Sequence, residues 1–136
     1  MCTALPALSE RTTMLIVSHC GEQLGSKCYT DLMLRWDNDW RAFLEHIKAH
    51  CNTTELDQWE FQMQTKVLGR IGTDKLCLVS DGIPADVQKH IAVNPVLGQG
   101  TAQERAQRAI DDYVATNPNA RIGIIPDGPY TMLRTK

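Results

Sequence analysis

The sequence lacks the features that mark several protein classes. Its five cysteines include no CxxC pair, so neither a disulfide framework nor a cysteine-rich zinc site is indicated, and a reducing, cytoplasmic compartment is predicted. No basic cluster stands out, and 14 Lys and Arg against 16 Asp and Glu leave a net charge of -2, which argues against a nucleic-acid partner. The longest apolar run is only a few residues, so no membrane span or membrane partner is predicted.

The composition that remains is typical of one folded domain. The chain has 136 residues, of which 43% are apolar and 22% are charged, and this excludes disordered and collagen-like classes. Residues 1–13 have no basic segment followed by a long apolar one, so we expect an N-terminal extension and not a secretory leader. Residues 14–136 are then predicted to form a single domain.

Short apolar runs with β-branched members predict strands buried on both faces. They lie at Met14–Ser18, Leu76–Ser80 and Ile122–Ile125, with weaker candidates at Ile91–Val93 and Tyr130–Leu133. Helices with one apolar face separate them, and their predicted caps are Ser26, Asn38, Thr54 and Thr101. Apolar strands that alternate with such helices predict an α/β fold: an open, mostly parallel sheet with helices on both faces, in a Rossmann-like three-layer sandwich.

Polar side chains follow the predicted strands. Ser18 and His19 come after the first, Ser80 and Asp81 after the second, and Asp127 after the last. Ligands of open parallel sheets bind beyond the carboxyl ends of the strands, so these five residues are candidates for one cleft. Each of them is equally well explained as a turn-forming residue.

Trp59, Gln62 and Lys66 stand at i, i+3 and i+7 of a predicted helix, so their side chains lie along one stripe. An indole beside an amide and an ammonium group could stack on and hydrogen-bond a ligand. The alternative, which general burial tendencies favour, is a tryptophan at the edge of the core with two solvated neighbours.

Three further motifs have a simpler structural explanation. His46 and His50 have the i, i+4 spacing of a metal-binding pair, but no HExxH glutamate lies between them, a solvated helix face is the better interpretation, and we assign no metal. Cys20 follows His19 in a turn, where a reactive thiol would need an electropositive setting. Gly98–Gly100 precedes a helix but completes no phosphate-binding motif.

Four segments of the sequence occur in an order that is similar to that of a known protein family. They are TMLIVSHCGEQLGS, LDQWEFQMQTKVLGRI, KLCLVSDGI and NARIGIIPDGP. From Met14 to Leu133, this order resembles the C-terminal domain of the lactate racemase family. The resemblance implies a second α/β domain that encloses a nickel-pincer nucleotide together with this one, and hydride exchange between that cofactor and the α-carbon of a 2-hydroxy acid. It also implies that the catalytic histidines, the nickel ligand and the cofactor-anchoring lysine belong to the N-terminal domain, so none is assigned here.

The resemblance makes Trp59 the leading site candidate, because the family has a tryptophan near the cleft at a similar position. The family also has glutamine and lysine contacts just upstream of the first strand. Met1–Thr13 do not show that pattern. We therefore expect these substrate contacts to be absent, even when an N-terminal domain is supplied.

Two functions stay open. In the first, the chain is the C-terminal domain of a lactate racemase-like isomerase, inactive alone, with its catalytic domain supplied in cis or in trans and no cofactor bound by this domain by itself. In the second, it is a stand-alone, non-catalytic α/β module for binding or interaction. Self-association into a homo-oligomer is compatible with both.

Overall fold

A computed structural model describes residues 1–131 and 133. The α-helices within that part are α1 (Lys27–Trp36), α2 (Trp40–Ala49), α3 (Gln58–Ile71), α4 (Ala85–Gln88) and α5 (Ala102–Thr116). The strands are β1 (Met14–Val17), β2 (Leu76–Val79) and β3 (Asn94–Pro95). Two 3₁₀ helices, Cys2–Ala7 and Gly128–Tyr130, lie near the ends of the chain. No helix of the described part is long and apolar enough to cross a membrane.

The strands form a small open sheet in the order β1-β2-β3. Both pairs are parallel, with Met14 opposite Leu76 and Leu78 opposite Pro95. Parallel pairing requires a crossover between consecutive strands, and α1 to α3 provide the first one. The carboxyl ends of all three strands therefore lie at the same edge of the sheet.

Helices cover both faces of this sheet. Leu76 and Leu78 belong to the main core cluster, whose helical members come from α1, α2 and α3: Leu32, Met33, Trp40, Phe43, Phe61, Val67, Leu68 and Ile71. Successive strand residues point to opposite faces, so Val79, which is fully buried, faces the other side. There α5 packs against β1 and β2. The predicted α/β fold is confirmed.

The turn between α1 and α2 differs from its prediction. Asp39, not Asn38, caps α2, and its carboxylate accepts a hydrogen bond from the amide of Ala42 at 2.9 Å. Asn38 instead contacts a distant loop: its Nδ2 donates to the carbonyl of Lys89 and its Oδ1 accepts from the amide of Ala92, both at 2.7 Å. A side chain that satisfies two distant backbone groups cannot be recognised from local sequence.

The third strand lies later in the chain than predicted. Ile91–Val93 is buried but bent, and the strand is Asn94–Pro95. Proline is tolerated because β3 is at the edge of the described sheet, and the next ladder bond comes from the amide of Val96 to the carbonyl of Leu78 at 2.8 Å. The helix predicted after Thr54 likewise begins late, at Gln58.

The predicted strand at Ile122–Ile125 is not formed. The segment has no regular secondary structure, and the side chain of Ile124 is 86% exposed. A strand needs a neighbour to satisfy its backbone groups, and the described sheet does not include this segment. The edge strand predicted at Tyr130–Leu133 is also absent from the described residues, since Tyr130 ends a 3₁₀ helix and Met132 lies outside them.

The first 3₁₀ helix packs on α3. The thiol of Cys2 donates to the carbonyl of Met63 at 2.9 Å, and Ala4 is buried. The segment predicted as an extension thus contacts the core, while a domain boundary at Met14 stays a prediction.

Candidate functional site

The loops that follow β1 and β2 are joined at the carboxyl edge of the sheet. The carbonyl of His19 accepts two hydrogen bonds from the second loop, one from the amide of Gly82 at 2.8 Å and one from the hydroxyl of Ser80 at 3.1 Å. The Ser80 hydroxyl also lies 3.4 Å from the amide of Ile83. Ser80 is buried, whereas the side chain of His19 is exposed. The backbone of His19 therefore has a structural role, and its imidazole is free to face solvent.

Ser18 and Asp81 lie on the exposed side of the same junction. Ser18 continues the β1 ladder, because its amide donates to the carbonyl of Val79 at 3.0 Å. Its hydroxyl is 3.3 Å from the thiol of Cys20. The structure thus brings together four of the residues predicted at strand ends, and of these only Ser80 is withdrawn from solvent.

Arg105 connects this junction to α5. Its side chain is only 11% exposed, and its Nη2 donates to the carbonyl of Ser80 at 3.2 Å and to the carboxylate of Asp81 at 2.6 Å. Gln88 also donates from its Nε2 to the Ser80 carbonyl, at 3.3 Å. Asp81 is consequently held by a largely buried cation, which fixes the direction of its carboxylate at the rim.

The N-terminal end of α5 is fixed by a capping box. The hydroxyl of Thr101 accepts from the amide of Glu104 at 3.2 Å, and the Glu104 carboxylate accepts from the amide of Thr101 at 2.7 Å. These bonds satisfy two of the amides that a helix leaves without partners at its start. They also determine where Arg105, the next residue, enters the junction.

The capping box gives a pH-dependent prediction. The hydrogen bonds from the backbone and the side chain of Thr101 lower the pKa of Glu104 below its usual value. A carboxyl whose pKa is lower in the folded state contributes stability above its unfolded pKa, and this contribution disappears as the pH falls through the folded pKa. Glu104→Gln keeps a hydrogen-bond acceptor but removes the charge. Near neutral pH we expect its midpoint of thermal unfolding to be lower than that of the wild type, and we expect the difference between the two midpoints to disappear in acid. A gap that does not change with pH would contradict this.

Trp59 lies at the same end of the domain. α3 leads into the amino end of β2, so its own N-terminus points toward the carboxyl edge of the sheet. There the hydroxyl of Ser26, at the end of the loop after β1, donates to the carboxylate of Asp57. Trp59 follows two residues later and is 62% exposed. The indole is therefore available to a ligand or partner and is not a core residue.

Gln62 and Lys66 continue from Trp59 along α3. Gln62 is half-buried and Lys66 is exposed, while the opposite side of the helix carries the buried residues Phe61 and Leu68. Glu60 follows Trp59 in the sequence, and burial, with a smaller contribution from Asp57, raises the pKa of its carboxyl. The stripe thus presents an aromatic ring at the start of α3, and an amide and an ammonium group farther along the helix, toward the amino edge of the sheet.

Asp127 does not join this group. It begins the second 3₁₀ helix with a left-handed backbone, at a φ of 52°, and the carbonyl of the next residue, Gly128, accepts from the hydroxyl of Thr3 at 3.3 Å. The described contacts of this turn are with the first 3₁₀ helix and not with the loops after β1 and β2. Asp127 was predicted at this edge because a strand was expected at Ile122–Ile125, and that strand is not formed.

The histidine pair on α2 is stacked. The rings of His46 and His50 have centroids 4.3 Å apart with an interplanar angle of 29°, and His46 Nε2 is 3.9 Å from a carboxylate oxygen of Glu55. Within residues 1–131 and 133, no group of three or more His, Cys, Asp or Glu side chains is placed to hold a metal ion.

Comparison with known families decides the relationship. A family model described as the lactate racemase C-terminal domain matches residues 1–132. The chain belongs to this family. No curated protein and no solved structure matched the chain. For this lactate racemase C-terminal domain, the match confirms the resemblance based on residues 14–133 and extends it over the N-terminal segment.

Sequence reasoning missed two residues of the junction, Arg105 and Gly82. Arg105 had a usable signal, because it precedes Ala106 on the apolar side of a well-capped helix whose N-terminus must face the carboxyl edge of a parallel sheet. Gly82 had none, since its role depends on how closely the carbonyls of His19 and Cys20 approach it.

Proposed function

We propose that this domain is the C-terminal part of a lactate racemase-like isomerase. It closes over a nickel-pincer nucleotide and a 2-hydroxy acid that a separate catalytic domain holds, supplied in cis or in trans, and it is inactive alone. The proposal also includes a cytoplasmic location. The family membership supports the assignment to this class of enzyme, and the exposed indole of Trp59 is the observation that carries the proposed closure.

The geometry suits a domain that covers a cleft better than one that carries the chemistry. Trp59 offers a ring face, and Gln62 and Lys66 offer hydrogen-bond donors on the same stripe. Asp81, held by Arg105, adds a fixed carboxylate on the rim. These groups can orient a ligand and exclude water from it, which is how a closing domain promotes a reaction.

The residues fit the organic part of the implied cofactor and not its metal. An exposed indole can stack on a planar heterocycle, whereas the described residues provide no cluster for nickel. Trp59 would therefore contact the nucleotide, with Lys66 available to an anionic group. When bound, the nickel-pincer nucleotide supplies the hydride acceptor; this chain holds and shields the reactants.

The test combines this chain with the cofactor-loaded N-terminal domain of a lactate racemase. We expect no racemisation of L-lactate by the chain alone, and racemisation when both parts are present. The variant Trp59→Ala should reduce that rate at least tenfold, because it removes a stacking surface from the closed cleft. Its unfolding midpoint should stay close to that of the wild type, since an exposed side chain contributes little to stability.

Tyr130→Ala is the matched control, because Tyr130 is an aromatic residue with an exposed side chain outside the stripe, and its rate should equal the wild type. Failure of the two parts to associate would contradict the proposal and favour a stand-alone binding module. A Trp59→Ala variant that mainly loses stability would show that the indole is structural.

A further inference from the structure

β1 has an unused edge. It pairs with β2 alone in the described sheet and therefore ends the strand order. The amides of Met14 and Ser18 donate to β2, at 2.8 and 3.0 Å. Because the backbone groups of successive strand residues alternate in direction, those of Leu15 and Val17 point away from β2. Their side chains lie on the face that α5 covers, yet Val17 is 52% exposed.

The chain also contains an exposed apolar segment that forms no regular secondary structure. Ile122–Ile125 consists of three isoleucines and a glycine, without regular secondary structure, and all three isoleucines are exposed. β-Branched residues favour strands. A free strand edge and an exposed β-branched segment are both features that proteins usually avoid, because each promotes aggregation.

The direction of α5 places this segment at the right end of the sheet. The contact of Arg105 with Asp81 holds the start of α5 at the carboxyl edge, and the helix packs against β1 and β2. α5 therefore ends toward the amino edge of the sheet. Five residues, 117–121, separate the end of α5 from Ile122, a reach of about 17 Å. A strand that starts there and lies beside β1 would run parallel to it, as a right-handed crossover requires.

We propose that Ile122–Ile125 docks on the free edge of β1 as a fourth, parallel strand, and that the described arrangement is the undocked state. The segment is already restrained at its far side, where Gly128 contacts Thr3. The segment is held on one side by the end of α5 and on the other by the contact of Gly128. Because only a short loop closes when the segment docks, the entropic cost of docking is small. Ile122 and Ile124 then share one face of the sheet and Ile125 lies on the other, so isoleucine side chains flank Leu15 and Val17 on the face that α5 covers, and the edge amides of β1 gain acceptors.

Docking would create a binding crevice. The strand order would become β3-β2-β1 followed by the new strand, so the direction of the crossovers would reverse at β1. Ligands of doubly wound sheets bind at that reversal, here beyond the carboxyl ends of β1 and the new strand. Asp127 would then lie near Ser18 and His19. The crevice follows from topology and does not rest on the proposed enzymatic function.

Amide hydrogen exchange on the full chain tests the docking. We expect the amides of Leu15 and Val17 to exchange at least tenfold more slowly than unprotected amides. In Ile124→Asp the charge opposes docking, and the two amides should exchange at least tenfold faster than in the wild type. Nuclear Overhauser effects between Val17 and the Ile122–Ile125 segment should be present in the wild type and lost in the variant.

Leu56→Asp is the matched variant, since Leu56 is an exposed leucine outside this region, and it should leave the two amides unchanged. Exchange at Leu78 in β2 must be equal in all three proteins, which separates docking from global unfolding. Unprotected Leu15 and Val17 amides in the wild type would overturn the proposal. Protection that increases with protein concentration, together with a dimer in light scattering, would overturn it in favour of a second copy on the edge.

Discussion

Replacing Gly82 with alanine is expected to destabilise the protein by about 3 kcal/mol. A β-carbon at this position would lie 2.1 Å from the carbonyl oxygen of Cys20 and 2.5 Å from that of His19. Both atoms belong to the backbone of the loop after β1, so relief requires the two strand-end loops to separate. The amide of Gly82 would then lose its hydrogen bond to His19, which is 2.8 Å long. Urea unfolding followed by circular dichroism measures the change.

Gly69→Ala is the matched control for this substitution. Gly69 lies within α3, and a β-carbon added there would meet no other atom within 4 Å. Glycine destabilises a helix interior relative to alanine, so this variant should be more stable by about 0.5–1 kcal/mol. Opposite signs for the two glycines would separate the steric effect at the junction from the general effect of the substitution. Equal effects would contradict the close approach seen at Gly82.

The elements predicted correctly are those whose signal is local. Ser26 caps α1, with its hydroxyl 3.0 Å from the amide of Tyr29, and Thr101 with Glu104 forms the predicted capping box. The two apolar runs became β1 and β2 as predicted, and β2 is mostly buried between helices that the same sequence supplies. The prediction that both runs are buried on both faces is wrong for β1, which is half-buried, with Val17 52% exposed. In each of these cases the partner is close in sequence or is a generic apolar face.

The elements that the described structure places differently depend on distant partners. Ile122–Ile125 has the composition of a buried strand, but composition does not determine whether the segment is bonded to a neighbouring strand, and in the described arrangement it is not. Asn38 has the composition of a cap, and its amide satisfies Lys89 and Ala92 instead. Tertiary contacts override local preference at such positions.

The common location of four candidate residues was predictable, whereas their contacts were not. Parallel strands bring their carboxyl ends together, which is why Ser18, His19, Ser80 and Asp81 lie at one edge of the sheet; that they line a ligand cleft stays a prediction. The exposure of Trp59 was not accessible from periodicity, since a tryptophan on an amphipathic helix is as compatible with the core edge. Arg105 was missed although its position at the start of a capped helix was a usable signal, because an arginine in a first helical turn is usually solvated.

Arg105→Met is expected to lower stability by about 2 kcal/mol, in the range of a hydrogen bond to a charged group. Methionine keeps most of the apolar stem that packs at this position, so the change isolates the guanidinium group. The Ser80 carbonyl would keep its bond from Gln88, while Asp81 would lose its partner. The buried Nε of Arg105 has no hydrogen-bond partner within residues 1–131 and 133, and its removal offsets part of the cost.

Arg108→Met, one turn further along α5, provides the comparison. Arg108 is exposed and donates only to the carbonyl of Gln99 in the described contacts, so its loss should cost less than about 0.5 kcal/mol. Amide exchange adds a local readout: Arg105→Met should accelerate exchange in the Asp81 loop, and Arg108→Met should not. If both variants unfold alike, the pair of Arg105 and Asp81 is an ordinary surface contact, and the carboxylate at the rim is not held in place by α5.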